Sequence, residues 1–141
     1  MPVLFAAWQS RKEYTMAERV RGLNFKVSDV QPGIKLLECV GEIDTDTYQK
    51  FDTQVFSIID GGITKLVLSL EKTPVINSMG VGVIVRAYKR LKELGGGLVL
   101  LNPSSGIRQV LFTLMLEKKL AITATIEDAV KTLNDQSATA S

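Results

Sequence analysis

Residues 65–102 constrain the fold more than any other stretch of this chain. They open on an apolar strand pattern, Lys65-Leu66-Val67-Leu68-Ser69-Leu70, and pass through a loop to Asn77-Ser78-Met79-Gly80-Val81-Gly82. A helical pattern then runs to about position 94, with Ile84, Ala87, Tyr88, Leu91 and Leu94 on one stripe. Gly95-Gly96-Gly97 stops it, and Leu98-Val99-Leu100-Leu101 supplies a second apolar strand. Two strands joined through one helix predict a right-handed βαβ unit with parallel strands, because parallel neighbours need a long crossover. The hydroxyl of Ser78 falls where the loop becomes the helix, and function is expected there.

The remaining chain extends this unit on both sides. Residues 1–22 mix Trp8, Tyr14 and Met16 with Arg11, Lys12, Arg19 and Arg21 without a clean period. They read as an N-terminal extension, helical over about residues 7–20 or disordered. Phe25, Val27 and Val30, then Gln31-Pro32-Gly33, then Ile34, Leu36, Leu37, Cys39 and Val40 predict a β-hairpin. After Gly41-Glu42-Ile43-Asp44, the pair Asp46 and Gln49 gives a helix start signal. Tyr48, Phe51, Val55, Ile58 and Ile59 form its apolar stripe, and Gly61-Gly62 ends it. Pro103 to Gly106 opens a further helix carrying Ile107, Val110, Leu111 and Leu114. Residues 120–125 read as a short strand, and Ile126, Ala129, Val130 and Leu133 as the stripe of a last helix. Residues 135–141 are small and polar, hence a frayed, flexible tail. The expectation is an α/β domain over residues 23–134, a mixed sheet of about five strands with about four helices mainly on one face.

Composition removes whole classes of chemistry. At 141 residues the chain is one domain able to bury roughly two-thirds of its unfolded surface. It contains no histidine, which excludes Ser-His and Cys-His catalysis and removes the commonest zinc ligand. Its one cysteine, Cys39, sits in an apolar run and reads as an inert core thiol. A net charge of +2 suggests neither nucleic acid nor a membrane as partner. No apolar run near the start is long enough to span a bilayer, and no secretory leader is visible, so a cytoplasmic setting is expected. No cofactor or metal is expected.

Familiar motifs around the central turn fail on inspection. Gly80-Val81-Gly82 begins a dinucleotide fingerprint, but Val85 stands where the third glycine is needed. Ile76-Asn77-Ser78-Met79-Gly80 resembles a nucleophile elbow without its first glycine or an activating histidine. A structural reading explains the same residues: Asn77 or Ser78 caps the helix, and Gly80 and Gly82 let it pack tightly on the sheet. Arg86, Lys89, Arg90 and Lys92 read as its solvated face.

Three segments together nevertheless carry a resemblance. Gly41-Glu42-Ile43-Asp44, Asn77-Ser78-Met79-Gly80-Val81-Gly82 and Gly96-Gly97-Leu98-Val99-Leu100-Leu101-Asn102-Pro103 resemble the STAS domain of bacterial anti-sigma factor antagonists, over about residues 24–134. Their counterparts there are a Gly-Glu-Leu-Asp stretch, an Asp-Ser-Ser-Gly-Leu-Gly helix start and a Leu-Val-Asn-Pro-like strand end. The resemblance implies that Ser78 is the serine phosphorylated by a partner anti-sigma factor kinase, and that Asp44 lies near it. Asn77 stands where the family has aspartate, and Met79 where it has a second serine. It also implies a partner surface of Asp44, Asn77, Ser78, Met79, Gly80 and Val81, in a monomer or weak dimer. On this reading the protein is an anti-sigma factor antagonist, a ligand and kinase substrate rather than an enzyme. The alternatives are a scaffold subunit of a stress-signalling complex and a small-nucleotide or anion-binding regulator. An enzyme ranks last, since it needs a carboxylate pair such as Glu42 and Asp44 near Ser78, a proximity that only the resemblance implies.

Overall fold

The computed structural model describes residues 22–140. The extension expected over residues 1–22 therefore lies outside the described residues, Gly22 excepted. Five strands lie side by side in chain order: β1 (Asn24–Gln31), β2 (Ile34–Val40), β3 (Lys65–Lys72), β4 (Gly97–Leu101) and β5 (Ala121–Thr123). β1 and β2 form the antiparallel hairpin that Pro32-Gly33 announced, with Gly33 at φ 86° in the turn. From β2 onward every pair is parallel. Each parallel pair needs a crossover, and these are α1 (Tyr48–Asp60), α2 (Ser78–Glu93) and α3 (Ser105–Thr113). A fourth helix, α4 (Ile126–Ala140), follows β5.

The period of two along the strands decides which helix covers which face. Leu66, Leu68, Leu98 and Leu100 point to the side where Phe51 of α1, Ile84 and Leu91 of α2 and Ile107 of α3 pack. The alternate residues Val67, Val99 and Leu101 join Ile34 and Leu36 beneath Ala129 and Leu133 of α4. Three helices thus cover one face and one covers the other. This two-sided cover is why β3 and β4 read as continuous apolar runs instead of alternating ones. At the head of β4 the chain passes so close to Thr64 that a β-carbon on Gly96 would overlap the Thr64 carbonyl.

Some boundaries differ from expectation. β5 is three residues long, shorter than the 120–125 pattern, because it pairs only with the last three residues of β4. Helix α4 runs to Ala140, over residues that the sequence reads as part of a flexible tail. Helix α1 begins after Thr47, which makes no side-chain cap bond, so Asp46 is not its cap.

Cys39 is 1% exposed, and burial, reinforced by nearby Glu38, pushes its thiol well above the ordinary range. It is expected to resist thiol-specific reagents in the folded protein and to react at once in denaturant; fast labelling without denaturant would contradict this burial. Phe51 is fully buried in the core on the face that the three helices cover. Phe51→Ala is expected to lower unfolding free energy by about 3–5 kcal/mol in a chemical denaturation.

Candidate functional site

Parallel strands deliver their following loops to one edge of the sheet. Here that edge carries residues 41–47, 73–77 and 102–104. Gly41 N–H donates to Lys72 O (3.0 Å), Ile43 N–H to Val75 O (3.0 Å) and Asn77 N–H to Ile43 O (2.9 Å). The result is a short parallel bridge between Ile43 and Ile76 that continues the β2–β3 pairing beyond the strands. Thr73, fully buried, donates its hydroxyl to Cys39 O (2.9 Å). Ser104 donates to Thr73 O (2.8 Å) while its oxygen accepts from Ile107 N–H (3.4 Å) at the start of α3. These bonds fix the loops relative to one another.

The start of α2 is built on that seam. Asn77, in an extended conformation, caps the helix by accepting from Gly80 N–H at 2.9 Å. Of the two residues the sequence offered as the cap, Asn77 therefore does the capping, which leaves Ser78 free as the first helical residue. Ser78 is exposed, and its hydroxyl has no hydrogen-bond partner among the described residues. The amides of Ser78 and Met79 belong to the first turn, which the helix itself cannot pair. Positive potential from these amides and the helix dipole converges on the Ser78 side chain.

The six expected partner-facing residues divide in two. Ser78 and Met79 face solvent, Met79 at 48% exposure, and Asn77 is half-buried. Gly80 and Val81 are buried and belong to the packing of the helix, not to the surface. A β-carbon on Gly80 would come within 2.5 Å of Ile43 Cγ2 and 2.7 Å of Ile76 Cγ1, so the Ile43–Ile76 bridge itself demands glycine. Gly82 has no such constraint: nothing lies within 4 Å of its missing β-carbon, which corrects the expectation that both glycines serve close packing. Asp44 is brought beside the α2 start through Ile43, its neighbour in the bridge. Its Oδ1 accepts from Asp46 N–H (2.9 Å) and Thr47 N–H (3.1 Å) and lies 3.1 Å from the Thr47 hydroxyl oxygen. The Thr47 oxygen in turn accepts from Asp44 N–H and donates to Glu42 O. Asp44 thus shapes the loop that supports α2.

Val75 is the surface residue that the sequence reading passed over. It is 48% exposed and stands directly before the bridge residue Ile76, three residues ahead of Ser78. An apolar residue placed straight after Pro74 in a loop was the available signal. On the solvent side of α2, Arg86 pairs with Asp52 of α1 at 2.8 Å and lies over the Phe56 ring, and Arg90 pairs with Glu93. These contacts fit the solvated-face reading. No group of three histidine, cysteine, aspartate or glutamate residues suited to a metal ion occurs among the described residues.

Comparison with known proteins bears on this geometry. A family model described as STAS domain matches residues 26–129. An anti-sigma F factor antagonist of Lysinibacillus sphaericus is 26% identical over 89 residues, covering 62% of this chain and 76% of that protein. An anti-sigma factor antagonist from Mycobacterium paratuberculosis has the same fold, with a TM-score of 0.72 at 22% identity over 82% of this chain and 97% of that one. The anti-sigma factor antagonist SpoIIAA, 24% identical, matches in its unphosphorylated form (TM-score 0.67, 79% of this chain, 97% of that one). Its phosphorylated form, from Bacillus, matches with a TM-score of 0.61 over 77% of this chain and 98% of that one.

The two glycines of α2 should part in experiment. Gly80→Ala is expected to destabilise the fold by on the order of 1–3 kcal/mol through overpacking against Ile43 and Ile76. Gly82→Ala is expected to stabilise it by roughly 0.5–1 kcal/mol through helix propensity. Urea titration of both variants reads the difference, and equal effects would contradict the packing described.

Proposed function

The chain belongs to the STAS domain family, and from that premise we propose that it is an anti-sigma factor antagonist switched by phosphorylation of Ser78. The observation that carries this reading is the unpartnered, exposed Ser78 hydroxyl at the start of α2, flanked by exposed Met79 and Val75. In the unmodified state Ser78, Met79 and Val75 present a small, partly apolar surface to an anti-sigma factor, with Asn77 at its margin. Occupation of that surface releases the sigma factor that the partner had held. The existence of a relative solved in both unphosphorylated and phosphorylated forms supports a phosphate switch on this fold.

Physical chemistry sets the sign of the switch. Phosphorylation adds a charge of about −1.5 to −2 at neutral pH. Within this chain the charge is tolerated, because the free amides of the first turn and the helix dipole favour an anion there. Asn77, being neutral, adds no repulsion to that phosphate. In the interface the same charge must be desolvated against an apolar patch, and a few kcal/mol of cost removes useful affinity. The protein acts as ligand and as kinase substrate, and catalysis belongs to its partner.

Incubation with a cognate anti-sigma factor kinase and ATP, followed by peptide mass spectrometry, is expected to place phosphate on Ser78. Label on another residue, or none, would count against the proposal. Ser78→Asp is expected to weaken partner binding by about tenfold or more, equivalent to about 1.4 kcal/mol. Its melting temperature should stay within a few degrees of the unmodified protein, because the side chain supports no contact of the fold. Unfolding of the variant would assign Ser78 a structural role instead.

A further inference from the structure

The edge of the sheet opposite Ser78 carries a second surface that the switch does not use. Helices α2 and α3 start beyond the ends of β3 and β4 and run back towards the starts of β4 and β5. Four of the eight large apolar side chains exposed among the described residues gather at the far ends of these helices. They are Leu94 (40% exposed) after α2, and Phe112 (66%), Leu114 (49%) and Met115 (66%) at the end of α3. Exposed Lys118 and Lys119 follow directly on the α3 end beside Glu117, Arg108 stands one turn before Phe112, and Glu93 next to Leu94 is paired with Arg90. None of Arg108, Lys118 and Lys119 enters an ion pair among the described residues.

The backbone at this tip makes the exposure more informative. Leu116 N–H donates to Leu111 O (2.8 Å) and Met115 N–H to Phe112 O (3.0 Å), the pairing of a Schellman helix stop. Leu116 turns inward and packs on the core, while Met115 occupies the left-handed position at φ 60°. Glycine is the residue that suits that position, since a β-carbon is disfavoured there. A long apolar side chain is thus held outward, in a conformation that opposes it, at a place where it contributes little burial. Strain of this kind points to a role outside the fold.

We propose that this edge, centred on Phe112 and Met115, docks reversibly on an anionic lipid surface. Charge complementarity selects the occupant: Lys118 and Lys119 adjoin the apolar tip, Arg108 stands one turn before it, none of the three is in an ion pair among the described residues, and anionic headgroups attract each of them. The exposed apolar side chains of the tip together present on the order of a few hundred Å², below the roughly 800 Å² per partner of a stable protein interface. Shallow insertion of a few apolar side chains beneath a basic rim needs no such area or shape match. A second copy meeting this edge by two-fold symmetry would set Lys118 and Lys119 against their own equivalents. The overall charge of +2 does not report how the charges are distributed over the surface. Docking at this edge leaves Ser78, at the other edge, facing away from the lipid.

The test is co-sedimentation of the full chain with vesicles of phosphatidylglycerol and phosphatidylcholine, and with phosphatidylcholine vesicles alone. Binding is expected only to the anionic vesicles and is expected to fall as salt is raised. Phe112→Ser with Met115→Ser, and separately Lys118→Glu with Lys119→Glu, should each reduce it by roughly tenfold. Met115→Gly should raise the melting temperature while weakening the binding, because it relieves the left-handed residue and removes the anchor. Absence of binding to anionic vesicles would overturn the proposal. So would binding that survives Phe112→Ser with Met115→Ser, since charge elsewhere would then suffice. A chain whose tip variant loses a protein partner while the unaltered chain ignores lipid would overturn it as well.

Discussion

The candidate site depends on one short seam of backbone, the parallel bridge between Ile43 and Ile76. It prolongs the β2–β3 pairing past the strands and fixes the height at which α2 begins. Gly80 is required because the first turn rests against those two isoleucines. Asn77 occupies the cap because its amide is already held by Ile43 O, which orients its side chain toward the Gly80 amide. Ser78 is then exposed by geometry, one residue beyond the cap and on the outer side of the turn. Packing behind the helix and accessibility in front of it have the same cause.

On the proposed function, that arrangement separates stability from signalling. The interactions that hold the edge together are the Asp44–Thr47 turn, the Thr73 and Ser104 hydroxyl bonds and the seam itself. None of them uses the Ser78 hydroxyl. A charge added to that hydroxyl meets unpaired amides within the chain and an apolar, desolvating surface only in a complex. Modification can therefore govern association without a conformational change having to be transmitted through the core. The apolar, basic tip at the opposite edge is similarly independent, since its side chains lie outside the packed interior.

The architecture was legible because glycine punctuation and apolar runs act locally. Gly61-Gly62, Gly95-Gly97 and the two apolar strands defined the crossover unit without reference to distant residues. The choice of cap was open between Asn77 and Ser78 because both side chains suit the position, and the seam from Ile43 decided it. The unequal roles of Gly80 and Gly82 were hidden for the same reason: what stands opposite each glycine arrives from elsewhere in the chain. Asp46 fitted the spacing of a helix start, but Asp44 could reach two amides and the Thr47 hydroxyl, and the turn formed there instead. Likewise, nothing in the spacing of residues 107–114 announced that Phe112 and Met115 would finish outside the core.

The central claim is that Ser78 is a surface switch on an unmoving scaffold. Its most direct test is a comparison of backbone amide NMR spectra of the unmodified chain and a chain made with phosphoserine at position 78. The account predicts shifts confined to about residues 43–45 and 75–82, with amides of β3, β4 and the α1 core unchanged. Shifts spread through the sheet, or loss of dispersion throughout the spectrum, would contradict it.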